Sequence, residues 1–202
     1  MDFAKMLDRV KNILLSPKSE WAVIAAEPAT VQSLLTYAVI LAGLAGIAGL
    51  IGMSFVGVFG IRLPVGLALA NFVVSLLLTI GLCYLMGMVV SGLAPSFSGE
   101  KSLIQGLKTI VFASTPVWVA QILSIIPALG LVAALAGLVW AIYLLYIGLP
   151  QTMKSPPERS GGYTAVTIII YIVLGWIVGM IAGLVTGTSA AMKAAMQSSL
   201  SG

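Results

Sequence analysis

The chain has 202 residues, of which 60% are hydrophobic and 8% are charged, with a formal net charge of +4 and a mean hydropathy of +1.13. A soluble globular domain carries about 25% charged residues, so this composition excludes that class and predicts an integral membrane protein with short connections. The sequence contains no basic patch with interleaved aromatic residues, and a nucleic-acid partner is therefore not expected.

Residues 2–15 predict an amphipathic helix, because apolar residues recur at helical spacing and the charged residues fall beside that stripe. Such a helix either lies in the membrane interface or packs on the protein's own cytoplasmic loops, and the pattern leaves both alternatives open. In the first alternative its cations contact anionic phospholipid headgroups; these cations are Lys5, Arg9 and Lys11. Ser16-Pro17 ends the helix, and Trp21 in the following segment suits an interfacial position.

Five apolar stretches follow, and each is long enough to cross a bilayer, which takes about 20 apolar residues. They cover residues 33–53, 63–91, 103–126, 127–149 and 163–187. The run from Ser114 to Pro150 carries no charge, and Pro127 in its middle predicts a reversal between two spans. The fold class is therefore an all-α bundle of five transmembrane helices.

The distribution of Lys and Arg predicts the orientation of the chain. Eight of the ten cationic residues lie in the N-terminal segment or beside the links around Glu100 and Glu158. An excess of positive charge marks cytoplasmic segments, so we expect the N-terminus in the cytoplasm and the C-terminus outside. No cleavable signal peptide is expected, because the first apolar run exceeds a signal-peptide core of roughly 7–15 residues. The chain divides into a cytoplasmic segment (1–30), a transmembrane domain (31–190) and a periplasmic tail (191–202).

The fifth span contains a row of glycines at intervals of four residues. They are Gly175, Gly179, Gly183 and Gly187. Glycines at this spacing line one helix face and let a neighbouring backbone approach closely. The neighbour is either a second copy of the chain or another helix of the same chain. We favour the second, because a five-span bundle has many internal contacts to make.

The ionisable residues exclude most catalytic chemistry. All six acidic residues lie outside the predicted spans, which removes the usual mark of a proton relay. The chain has no histidine and one cysteine, Cys83, so the common nucleophile pairs and the common zinc or haem sites cannot form. We therefore expect no enzymatic activity, no cofactor and no metal ion.

Uncharged polar residues remain inside the spans. They are Asn71, Ser75, Thr79 and Tyr84 in the second span, Ser114, Thr115 and Gln121 in the third, and Tyr143 and Tyr146 in the fourth. Hydrogen bonding between helices is the simpler interpretation. The alternative is a transporter or channel for a small neutral or lipid-like solute, which would require Asn71, Gln121 and Tyr143 to face a common cavity.

Two segments carry a resemblance to the Ypt-interacting-protein (YIP) family. The first is the run from Val111 to Pro150, with the sequence YLLYIGLP at 143–150. The second is NILLSPKSEW at 12–21, which is similar to the bacterial branch of the family, small inner-membrane proteins of unassigned role. The residues of the family motif are Thr115, Pro116, Tyr143, Tyr146, Gly148 and Pro150.

The resemblance extends from about Val10 to Gly187 and implies five spans in a bacterial inner membrane. Eukaryotic members act in vesicle trafficking between endoplasmic reticulum and Golgi and bind Rab-type GTPases, partly through a longer N-terminal region that this sequence does not show. The family supplies no catalytic residues. We therefore expect a non-enzymatic protein that binds a protein partner or a second copy of itself, or organises the bilayer locally.

Overall fold

A computed structural model describes residues 3–57, 61–188, 190–191, 193–194 and 197. Its regular structure is helical, which confirms the all-α fold class. In chain order the α-helices of the described residues are α1 (Phe3–Leu15), α2 (Pro17–Ala26), α3 (Val31–Ile51), α4 (Val65–Leu93), α5 (Leu103–Gln121), α6 (Pro127–Met153) and α7 (Ser160–Thr186). Short helical turns follow α3, α4 and α5 and precede α7; they are Gly52–Val56, Ala94–Phe97, Ile122–Ile125 and Pro157–Arg159.

The described residues contain five helices that are long and apolar enough to cross a membrane. These spans are Val31–Val56, Val65–Phe97, Leu103–Ile125, Pro127–Met153 and Pro157–Thr186. They coincide with the five stretches that the sequence predicts, which confirms a multi-pass bundle. Four of them continue a few residues beyond the apolar stretches, because the terminal helical turns contain polar residues. Most of the proposed tail 191–202 lies outside the described residues.

Helix α5 lies at the centre of the bundle and lines two cavities, one towards each end. Every residue from 106 to 116 is buried, and α5 packs against α3, α4 and α6. Gly137 of α6 lies so close to α5 that a Cβ there would come within 2.8 Å of the Pro116 carbonyl oxygen. By contrast, α7 packs mainly on α4 and exposes large apolar side chains such as Ile172 and Trp176. The outer faces of the spans are thus apolar, as contact with lipid requires.

The two ends of the bundle differ in charge. At one end the loops after α4 and α6 meet, where the Glu100 amide donates to the Met153 carbonyl oxygen at 2.7 Å and Lys154 pairs with Glu100 at 2.7 Å. The N-terminal helices α1 and α2 dock at this same end, which we call the charged end. The opposite end, which we call the far end, is formed by residues 52–57 and 61–64 together with the turn Ile122–Ile125.

Candidate functional site

The N-terminal helices α1 and α2 dock on the charged end and form part of the core. On α1 the side chains of Met6 and Ile13 are buried, and on α2 those of Trp21 and Ile24 are buried. Packing on the protein, one of the two alternatives that the sequence leaves open, thus holds for Met6 and Ile13. Leu7 and Leu15 on the same helix remain exposed.

Trp21 fills a notch that a glycine creates in α6. A Cβ at Gly148 would come within 2.6 Å of the Trp21 indole, so a residue without a side chain is required there. The expectation that Trp21 sits at the membrane interface is wrong, because the residue is 0% exposed and packs inside the protein. The two segments that carry the YIP resemblance thus contact each other directly through Trp21 and Gly148.

Arg9 ties the two N-terminal helices together. Its guanidinium pairs with Glu20 of α2 and with Glu27, which follows α2, and lies 5.9 Å from the centroid of the Phe112 ring in α5. Removal of one partner from a largely buried ion pair is strongly destabilising, because the remaining charge stays uncompensated. Arg9 was expected to contact lipid headgroups, and this assignment is corrected, since the guanidinium is engaged inside the protein.

Lys5 and Lys11 differ from Arg9, because both residues are exposed. Both lysines therefore remain available for contact with headgroups. Of the three cations expected to contact headgroups, two therefore lie on the surface and one, Arg9, lies inside the protein.

Lys108 of α5 reaches across to the C-terminal end of α2. The residue is 3% exposed, and its Nζ donates to the carbonyl oxygens of Ala25 at 3.2 Å and Glu27 at 2.6 Å. Gln105 also donates to the Ala25 carbonyl, at 2.9 Å. The last carbonyls of a helix lack intrahelical partners and attract cations. Lys108 therefore acts as a cap for α2, a role that its position in the sequence does not reveal.

A cavity of about 220 Å³ lies under the docked helices, and we call it the inner cavity. Its lining includes Arg9, Glu27, Ser33, Tyr37, Lys108 and Phe112. At its deepest side the hydroxyl oxygens of Tyr37 and Thr115 are 3.0 Å apart, and the rings of Tyr37 and Phe112 have centroids 5.0 Å apart. Hydroxyls and aromatic rings therefore close the inner cavity towards the middle of the bundle.

A second cavity of about 330 Å³ opens at the far end between α3, α4 and α5, and we call it the polar crevice. Its polar lining residues are Asn71, Ser75 and Thr79 of α4, Gln121 of α5 and Ser124 in the turn after it. The three α4 residues are spaced by four and so share one helix face. Across from them α3 contributes small residues such as Ala45 and Gly49, which leave the space open.

Most polar groups of the crevice have no protein partner. Within the part of the chain that the structure describes, no hydrogen bond is formed by the side chains of Ser75, Thr79, Gln121 and Ser124. Asn71 differs, since its Oδ1 lies 3.4 Å from the Thr186 hydroxyl. An unsatisfied polar group is costly in a dry apolar environment, so these groups are suited to water or to a polar ligand.

The solute alternative required Asn71, Gln121 and Tyr143 to face a common cavity. The structure brings Asn71 and Gln121 together in the polar crevice but places Tyr143 elsewhere, where its ring centroid lies 5.3 Å from that of Trp140. The expected track is therefore corrected at Tyr143, because this residue lies on α6, which lines no part of the crevice.

The remaining motif residues shape α5 and α6. Pro116 lies inside α5, and the hydroxyl of the preceding Thr115 lies 3.4 Å from the Val111 carbonyl oxygen as well as near Tyr37. Pro150 lies inside α6, and Tyr146 is 47% exposed on the outer face of that helix. Thr115 is fully buried and contacts Tyr37, which itself lines the inner cavity.

The glycine row of α7 divides into positions with different surroundings. A Cβ at Gly175 or Gly179 would meet no atom of a neighbouring helix within 4 Å, whereas Gly183 is buried. Gly187 ends α7 with a φ of +70°, a left-handed conformation typical of glycine at a helix C-terminus. The expectation of packing within one chain is therefore corrected at Gly175 and Gly179, since the bundle leaves this face of α7 uncovered.

Comparison with known proteins identifies one family. A family model described as Yip1 domain matches residues 11–191. This range includes part of α1, all of α2 and all five spans. It therefore contains the Trp21–Gly148 contact and every lining residue of the two cavities except Arg9. No curated protein and no solved structure matches the chain.

Proposed function

Because the chain belongs to the Yip1 family, we propose that this multi-pass membrane protein is a non-enzymatic organiser of a bacterial inner membrane. Its N-terminal helices would lie on the cytoplasmic side and contact anionic phospholipid headgroups. The collection of Lys and Arg at the charged end supports this orientation, because cytoplasmic segments carry an excess of positive charge. The short tail after α7 would then be periplasmic.

One observation carries this proposal: the exposed outer face of α1. Leu7 and Leu15 are 50% and 72% exposed although they lie outside the spans, and Lys11 lies between them. Residues spaced by four share a helix face, so these three form a continuous strip, which we call the α1 ridge. Apolar side chains beside a cation suit the boundary between headgroups and acyl chains. Lys5 extends the basic character of the same helix.

A protein partner is proposed for the uncovered face of α7. Gly175 and Gly179 meet no other helix of the chain, and small residues at this spacing promote close packing of membrane helices. The partner would be a second copy of the chain or another membrane protein. This part of the proposal predicts an oligomer that depends on α7.

Lipid selectivity tests the α1 ridge in the full-length protein. We would reconstitute the protein in nanodiscs of phosphatidylglycerol and phosphatidylcholine and measure the phosphatidylglycerol retained on extraction into detergent. A basic residue near an anionic surface contributes about 1 kcal/mol, so Lys11→Glu should lower phosphatidylglycerol enrichment severalfold. Arg62→Glu, which changes the net charge equally at the far end, is the matched control. Equal enrichment in the wild type and both variants would refute the role of the ridge.

A second candidate function, binding of a small uncharged solute, rests on the polar crevice. The unpartnered side chains of Ser75, Thr79 and Gln121 favour it, because such groups are stabilised by water or a polar ligand. In a Cys83→Ser background, Ser75→Cys should react with a membrane-impermeant methanethiosulfonate reagent. Leu77→Cys, on a lipid-facing side of the same helix, should not react. An unreactive thiol in the Ser75→Cys variant would exclude a water-filled crevice.

A further inference from the structure

We propose that the inner cavity and the polar crevice are the two halves of one passage for small uncharged polar solutes. The halves are separated by a closed septum between α3 and α5, which consists of Tyr37, Leu41, Phe112 and Thr115. This inference rests on the second candidate function and adds a route across the membrane, a gate and a class of solute.

Both cavities lie along the same pair of helices. On α3 the inner cavity extends to Tyr37 and the polar crevice begins at Ala42. On α5 the inner cavity extends to Phe112 and the polar crevice begins at Trp118. An α-helix rises 1.5 Å per residue, so the septum is about 7.5–9 Å thick. A hydrocarbon core is about 30 Å thick, so the closed septum is about a quarter to a third of that distance.

One side chain, Tyr37, makes both a hydroxyl contact and a ring contact across the septum. Tyr37 and Thr115 are fully buried and joined by the 3.0 Å hydroxyl contact, a type of bond with a net contribution of about 0.5–1.5 kcal/mol. The Tyr37 ring covers Phe112, and Leu41 fills the next turn of α3. A rotation of one tyrosine side chain would remove both the hydroxyl contact and the ring contact.

Pro116 weakens α5 next to the septum. Proline lacks the amide hydrogen that would bond the carbonyl four residues earlier, and that carbonyl belongs to Phe112. The backbone of α5 is thus missing one restraint at the residue whose ring packs on Tyr37. A change in the bend at Pro116 would move Phe112 relative to α3 and open the septum.

The lining determines the class of solute. The polar crevice offers amide and hydroxyl groups and carries no charge among its described lining residues. In the inner cavity Arg9 and Lys108 are engaged by Glu27 and by backbone carbonyls, which leaves no unpaired charge among the described lining residues to replace the hydration of an ion. Hydroxyl and amide solutes, by contrast, can exchange hydrogen bonds with Tyr37 and Thr115. Cavities of about 220 and 330 Å³ admit molecules of the size of glycerol.

Flux through proteoliposomes tests the passage, with glycerol as the probe and light scattering as the readout. Tyr37→Ala removes both the ring and the hydroxyl group and should raise glycerol permeability at least about tenfold over the wild type. Tyr37→Phe keeps the ring and should raise it less. Tyr84→Ala, on the exposed side of α4, is the matched control and should stay at the wild-type level. Sucrose should remain excluded from every variant, because it is larger than the inner cavity of about 220 Å³.

The outcomes separate this inference from the candidate function on which it rests. Leu41→Ala is a second variant, which opens the septum at the next turn of α3. If both this variant and Tyr37→Ala are folded and have wild-type permeability, the passage is overturned. If the thiol of the Ser75→Cys variant is reactive in that case, the crevice survives as a binding site that does not cross the membrane. An unreactive thiol in that variant would remove the crevice and the passage together. Sucrose leakage through Tyr37→Ala would indicate a damaged bundle and would likewise contradict a selective passage.

Discussion

The charged end and the far end of the bundle differ in whether their polar groups are paired within the protein. At the charged end Arg9 and Lys108 are largely withdrawn from solvent, and both bind oxygen atoms of the N-terminal segment. At the far end Ser75 and Gln121 line an open crevice, and the described residues provide them with no hydrogen bond. A buried charge must be paired, whereas an uncharged group can bind water or a ligand. Arg9 and Lys108 therefore hold the scaffold, whereas Ser75 and Gln121 are available to bind water or a ligand.

The largest expected effect is at the charged end, on removal of the Trp21 indole. Trp21→Ala empties the notch over Gly148 and should lower the free energy of unfolding by about 3–5 kcal/mol, the usual range for a buried aromatic residue. Thermal unfolding in detergent measures this loss. Trp176→Ala is the control, because that indole is 69% exposed on the outer face of α7. Equal losses in the two variants would show that Trp21 is not docked.

A slightly smaller loss is expected when Arg9 is removed. Arg9→Met leaves Glu20 without its partner, and Glu20 is only 7% exposed. We expect a loss of about 2–3 kcal/mol, below the range for a completely buried pair. Glu20→Gln in the same chain should recover part of that loss, because it removes the uncompensated charge. No recovery in the double variant would mean that the ion pair does not fasten α1 to α2.

Glycine substitutions sharpen the contrast between covered and uncovered helix faces. Gly148→Ala places a methyl group against the Trp21 indole and should lower the free energy of unfolding by about 1–3 kcal/mol. Gly179→Ala meets no neighbouring helix and should raise monomer stability by about 0.5–1 kcal/mol, since alanine favours helix more than glycine does. Unfolding of both variants in the same detergent shows whether each substitution raises or lowers the free energy of unfolding.

The same α7 face allows a test of the proposed partner. Gly179→Ile adds bulk that the monomer tolerates, so its unfolding should change little. If a second copy packs on this face, the variant should shift the protein towards the monomer in chemical crosslinking within membranes. An unchanged crosslinked fraction would exclude Gly179 from an interface between copies.

The smallest expected effect on stability is in the polar crevice. Gln121→Leu removes a side chain that has no described protein partner, so the free energy of unfolding should change by no more than about 0.5 kcal/mol. Reactivity of Ser75→Cys with a polar thiol reagent should nevertheless fall, because the leucine makes the crevice less wet. A large loss of stability would show that Gln121 is structural.

The five spans could be predicted from the sequence because hydropathy and length are local properties. The position of Trp21 could not, since its burial depends on Gly148, a residue far along the chain. An aromatic residue beside an apolar run suits the membrane interface equally well. The role of Lys108 could not be predicted either, because its partners are carbonyl groups at the end of α2, and backbone groups leave no signal in a sequence.

Spacing predicted shared helix faces but not what covers them. The interval of four residues places Asn71, Ser75 and Thr79 on one face of α4, and the opening beside that face comes from the small residues of α3. The same interval predicted a common face for Gly175 and Gly179, but their surroundings depend on where α7 lies against α4. The position of each helix in the bundle is therefore the information that periodicity lacks.

The docking of the N-terminal helices is tested most directly by whether Trp21 lies inside the protein or in the bilayer. A chain with Trp118→Phe, Trp140→Phe and Trp176→Phe retains Trp21 as its one fluorescent indole, and vesicles of brominated lipids quench indoles in contact with acyl chains. If α2 is docked on the bundle, Trp21 should not be quenched by brominated lipids or by aqueous iodide. A matched chain that retains only Trp176 should be quenched by the brominated lipids. Equal lipid quenching of Trp21 would place α2 in the interface and contradict the docked N-terminal helices.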